Sequence, residues 1–100
     1  MAKLNISVSH SLAQDEATKR IKGLLGEVKT EFANKISNLQ EEWDANSGRF
    51  SFSAMGFFVS GTLTVKQGRV ELDGTIPFAA TFFRSKIESV VRERAKTLLA

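Results

Sequence analysis

Arg49–Ile76, RFSFSAMGFFVSGTLTVKQGRVELDGTI, decides the fold. Within it, Phe50 and Phe52 alternate with serines over Arg49 to Met55, and Val59, Leu63 and Val65 alternate with Ser60, Thr62 and Thr64 over Phe58 to Lys66. Val70, Leu72 and Ile76 do the same over Arg69 to Ile76. A period of two is the signature of a strand with one buried face. Gln67-Gly68 reads as a two-residue hairpin turn, and Gly56 as part of another turn or a bulge. Asp73-Gly74 has turn composition too, but the apolar alternation runs through it, so a continuous strand with a close contact at the glycine is expected. Gly61 leaves an opening on the apolar face, and Pro77 ends the last strand because it cannot donate to the ladder.

Working outward, Ile36 to Asp44 places Leu39 and Trp43 on one face together with Glu41, and Ala45-Asn46-Ser47-Gly48 follows as a turn. Ala17, Ile21, Leu24, Leu25, Val28 and Phe32 recur at helical spacing, with Gly23 and Gly26 inside the stripe as a bend, a close approach or a break into two helices. Ser11 is expected to cap this helix with Gln14 reaching back. Leu4, Ile6 and Val8 form a first strand, placed at an edge or beside the strand ending at Ile76. Phe83, Ile87, Val90, Val91, Ala95 and Leu98 mark a last helix. The order β-α-β-β-β-β-α implies one α+β domain over residues 1–100: a two-layer sandwich, helix-grip-like, with both helices on one face of a curved antiparallel sheet.

The bulk numbers bound the function classes. The chain lacks cysteine, which removes disulfides and thiolate chemistry and suits a reducing cytosol. No apolar h-region follows Met1, and the longest charge-free run, the 16 residues from Phe50 to Val65, is short of a membrane helix, so a soluble cytoplasmic protein is expected. The net charge of +3 comes entirely from the last twenty residues, where Arg84, Lys86, Arg92, Arg94 and Lys96 outnumber Glu88 and Glu93. A basic helix facing an anionic partner is one reading; a solvated face whose last cations complement the helix dipole is the plainer one.

The phenylalanines stand out, eight of them beside no tyrosine. Neighbours on a strand face opposite ways and neighbours on a helix lie about 100° apart, so neither Phe57-Phe58 nor Phe82-Phe83 can bury both rings in one core. With Phe83 on the helix stripe, Phe57 or Phe58, Phe78 and Phe82 are left for an interaction surface that also includes Arg84 and Arg92. A second reading encloses a small apolar ligand between sheet and last helix, lined by Trp43, Phe52, Gly61 and Phe83. Trp43 beside Leu39 on a half-buried strand reads more simply as core.

Catalysis has little to draw on. His10 is the sole histidine; Asp15 or Glu16 could orient it as a base, but a junction histidine bonded to backbone is the simpler account. Glu41 and Glu42 point to opposite faces of a strand, and with Asp44 they read as a solvated edge. No phosphate loop, nucleophile elbow or dinucleotide fingerprint is present. A non-enzyme without catalytic residues, metal or cofactor is expected, and weak nucleic-acid binding ranks third because cations and aromatics do not interleave on one strand.

His10-Ser11-Leu12, Glu16-Ala17, Arg20-Ile21, Trp43, the Phe52 strand, Val59-Ser60-Gly61, Val65, Val70, Pro77, and Phe83 with Ile87 form a whole-length pattern. In these residues the chain resembles the small polyhydroxyalkanoic acid system family of bacteria. The resemblance implies a bacterial cytoplasmic protein encoded near genes for polyester storage granules, with a granule-linked role and no catalytic residues to carry over. Its partner would be the polyhydroxyalkanoate granule or a granule-associated protein, met through the phenylalanine patch; a homodimer is a further use of the same surface.

Overall fold

The computed structural model of the chain describes residues 2–32, 35–54 and 56–100. Its elements run β1 (Ala2–Ser9), α1 (Gln14–Ile21), α2 (Leu24–Phe32), β2 (Ile36–Asp44), β3 (Ser47–Ala54), β4 (Phe57–Lys66), β5 (Arg69–Ile76), a 3₁₀ turn (Phe78–Phe83) and α3 (Arg84–Leu99). The strands form one open antiparallel sheet in the order β1-β5-β4-β3-β2. β1 is therefore both an edge strand and the partner of β5.

The alternation read from sequence sets the two faces. Leu4, Ile6, Val8, Phe50, Phe52, Val59, Leu63, Val65, Val70, Leu72 and Ile76 are buried, and their buried neighbours on the helices include Ile21, Leu24, Val28, Ile87 and Val91. The opposite face carries Ser51, Ser53, Ser60, Thr62, Thr64 and Thr75 under no helix. This is the α+β architecture expected, with all helices on one side.

Gly61 sits at the sheet's tightest point. It lies directly opposite Gly74 on β5 and Phe50 on β3. A Cβ at Gly61 would meet the Gly74 Cα at 2.7 Å and the Phe50 ring at 2.9 Å. The gap that a glycine opens on the apolar face is thus occupied by the Phe50 ring rather than left for a ligand, and β5 runs unbroken through Asp73-Gly74.

Several local expectations change. The turn before β3 shrinks to Ala45-Asn46, because Ser47 pairs with Asp44 and Gly48 with Trp43. β4 starts at Phe57 rather than Phe58, and Met55 at the expected end of β3 lies outside the described residues. The first helical stretch is broken at Lys22-Gly23: the Lys22 amide still donates to the Thr18 carbonyl, but the Gly23 amide reaches back only three residues to Arg20. That tightened turn ends α1 and lets α2 set off over the sheet.

Ser11 does not cap α1. The helix starts at Gln14, and Ala13 holds the cap position without a side-chain bond. Gln14 instead donates through Nε2 to the Val65 carbonyl at 2.9 Å, so tertiary contact takes the side chain that a capping box would use. Thr18, only 6% exposed, donates to the Gln14 carbonyl at 2.9 Å and accepts from Asn46 Nδ2 at 2.6 Å. The Val65 amide donates to the Asn46 carbonyl at 2.8 Å. This polar knot locks α1 to the β2–β3 turn and to β4.

Candidate interaction surface

The β3–β4 turn fixes which ring of the first phenylalanine pair faces inward. Ala54 and Phe57 are register partners, so Phe57 shares the buried side of Ala54, and Phe58, one residue on, must face away. Phe57 is half-buried, with its centroid 5.8 Å from that of Phe83 and 6.2 Å from that of Phe82. Phe58 is 56% exposed.

The second pair divides in the same way. Phe83 is buried and Phe82 is 70% exposed, their rings in edge-to-face contact at 4.9 Å. Phe78, at the start of the 3₁₀ turn, is 71% exposed. The short connection from Pro77 explains the exposure: Pro77 is extended at φ −61° and ψ 150°, and the tight turn that follows buries Ala80 and Phe83 while turning Phe78 and Phe82 outward. All three exposed rings lie at the end of the sheet where β5 finishes, β4 begins and α3 starts.

Arg84 opens α3 at this same end, and its Nη1 donates to the Lys3 carbonyl at 3.5 Å. Arg92 lies two turns further along α3, about 12 Å away at 1.5 Å per residue. It is exposed but stands apart from the three rings. Arg94, another cation of the basic helix, bridges Glu31 at 2.6 Å and Glu27 at 3.8 Å and so ties α3 to α2.

The residues considered for a ligand cavity do not gather. Phe52 and Phe83 border a void of about 10 Å³ with Val28, Phe32, Ile36 and Ile87, and a second void of about 10 Å³ lies between Phe50, Val59 and Val91. Each has room for about one water molecule. Gly61 is covered by Phe50, and Trp43 lies over Gly48 by the β2–β3 turn, with its Nε1 donating to Glu41 at 3.2 Å and Lys22 Nζ 5.7 Å from the ring.

His10 is engaged in the fold. Its Nδ1 accepts from the Leu12 amide at 3.1 Å, which leaves Nε2 to donate to the Lys66 carbonyl at 3.0 Å. Both ring nitrogens thus bond backbone, and the ring pins the β1–α1 junction to the β4–β5 hairpin. On that hairpin, Lys66 at 2.9 Å and Arg69 at 2.8 Å both pair with Glu71. The Lys66 hydrogen bond, helped by the charge of Arg69 and opposed by partial burial, holds the Glu71 carboxyl below the ordinary range. Among the described residues, no three His, Cys, Asp or Glu side chains converge as a metal site would require, and no helix is long and apolar enough to cross a membrane.

Compared with known families, residues 4–99 match the model of a family described as "Putative polyhydroxyalkanoic acid system protein". The chain belongs to that family. The match spans the whole sheet but the first residues of β1, both ends of the phenylalanine surface and all of α3, so the surface just described is part of a polyhydroxyalkanoic acid system protein's family domain. No curated protein and no solved structure matches the chain.

Proposed function

We propose that this polyhydroxyalkanoic acid system protein is a non-catalytic accessory protein of polyester storage, docking on polyhydroxyalkanoate granules, or on a protein at their surface, through the end of the fold that carries Phe58, Phe78 and Phe82. In that role it works in the cytoplasm at the granule surface. The observation that carries the reading is the exposure of these three rings, at 56%, 71% and 70%, where the other large apolar side chains among the described residues are buried or packed against the core. Leaving such rings in water forgoes about 1.5–3 kcal/mol per side chain of the stabilisation that burial would bring, which marks a surface shaped for contact. Membership of a polyhydroxyalkanoic acid system family supplies the setting. Among the described residues, the two voids between sheet and helices have room for about one water molecule each.

The test is co-sedimentation of the purified protein with native granules across a salt series. Retention that persists at high salt is expected, since ring burial is little screened. A protein that stays in the supernatant at every salt concentration contradicts the proposal.

A further inference from the structure

The charge around the exposed rings separates this end of the molecule from the rest. Phe57 to Ser60 and Gly74 to Ile87, which form most of it, contain no Asp or Glu. Lys3, Lys35, Arg84 and Lys86 are exposed there: Lys3 on β1 faces Thr75 near the end of β5, Lys35 borders the void beside Phe83, and Arg84 and Lys86 begin α3. None of the four joins an ion pair among the described residues. At the opposite end of the sheet carboxylates stand among the cations, with Arg49 beside Glu42 and both Lys66 and Arg69 beside Glu71.

Unpaired cations surrounding apolar rings demand a partner that is anionic and apolar at once. A protein partner would have to combine a hydrophobic socket with a one-signed acidic rim. A phospholipid layer offers both from a single surface, with acyl chains beneath a sheet of phosphates, and asks for no matching shape. Phe78 and Phe82, each about seven-tenths exposed, project from a short turn rather than line a groove, as insertion into such a layer needs.

Resting on the reading of this end as the docking surface, we infer that its partner is the surface of an anionic phospholipid layer, with Phe78 and Phe82 seated below the headgroups and Lys3, Lys35, Arg84 and Lys86 against the phosphates. The rings supply the salt-resistant part of the attachment and the cations the preference for anionic lipid. Arg84, held near the strand edge by its bond to the Lys3 carbonyl, sets the depth to which the turn enters.

Vesicle flotation tests this, using phosphatidylglycerol mixed with phosphatidylcholine against phosphatidylcholine alone, and lipid-free polyester particles as a parallel surface. The protein is expected to float with the anionic vesicles and, through the rings alone, to a smaller extent with the neutral ones. Arg84→Gln with Lys86→Gln should weaken anionic binding about five-fold for each cation removed. Phe78→Ser with Phe82→Ser should abolish it, with circular dichroism confirming that both double variants stay folded. Absence of flotation with anionic vesicles overturns the inference. If the protein nevertheless holds to bare polyester, or to granules only until they are treated with protease, the docking reading stands and the lipid partner is replaced by polymer or by protein. Failure on vesicles, polyester and granules alike removes both.

Discussion

The rings of Phe57 and Phe83 lie with centroids 5.8 Å apart and planes inclined at 42°, joining the first strand of the exposed end to the last residue before α3. Phe57 is therefore a packing residue and its neighbour Phe58 is not. Phe57→Ser is expected to destabilise the fold by about 2 kcal/mol, through lost burial and a polar group placed against Phe83. Phe58→Ser should change stability by less than about 0.5 kcal/mol, as surface substitutions do. Urea denaturation of the two variants checks the contrast, and equal effects would show that the ring assignments are wrong.

The close approach at Gly61 gives a second expectation. Gly61→Ala would drive a methyl group against the β5 backbone at Gly74 and against the Phe50 ring, and since backbone cannot step aside the cost is put at about 2–3 kcal/mol. Gly26→Ala, where an added Cβ meets nothing within 4 Å, should instead stabilise α2 by up to about 1 kcal/mol. Thermal melts of the pair should move in opposite directions.

Thr18 provides a test of the polar knot. Thr18→Val keeps the shape but removes the acceptor for Asn46 Nδ2 and the donor to the Gln14 carbonyl, and is expected to cost about 1–3 kcal/mol. Thr18→Ser retains both bonds and should lose far less. Hydrogen exchange at the Val65 amide, which donates to Asn46, should quicken in the valine variant and hold in the serine one.

Glu71 links the β4–β5 hairpin to pH. Its carboxyl is held low first by the Lys66 hydrogen bond, with Arg69 assisting. A carboxylate with a depressed folded pKa adds stability that is present above its unfolded pKa and is lost as pH falls through the folded one. An NMR titration of the Glu71 side-chain carbon should find a midpoint below the usual glutamate range, and Lys66→Met should move it upward. The pair is partly open to solvent, so high salt should narrow the difference.

Much of this architecture is legible in the sequence because its signals are local. The alternation of Val59 to Val65 and of Val70 to Ile76, with Gln67-Gly68 between, specifies the central hairpin, and Pro77 ends β5 as its missing amide requires. What is not legible depends on contacts made at a distance. The apolar stripe Ile21, Leu24, Leu25, Val28 runs straight across Lys22-Gly23, so periodicity does not reveal the break there. Gln14 looks like part of a capping box until Val65 is placed beside it. The choice between Phe57 and Phe58 rests on a one-residue difference in strand phase, set by the register that pairs Ala54 with Phe57. Composition alone suggested room at Gly61; the register opposite Phe50 fills it.

The central claim is that the exposed phenylalanines carry the attachment to storage granules. Its most direct test is the granule-bound fraction of the wild-type chain against that of a folded Phe58→Ser, Phe78→Ser, Phe82→Ser variant, measured side by side on native granules. The account predicts that the wild type pellets with the granules and that the triple variant, still folded by circular dichroism though slightly less stable for want of the Phe82–Phe83 contact, remains in solution. A triple variant that pellets as completely as the wild type would contradict it.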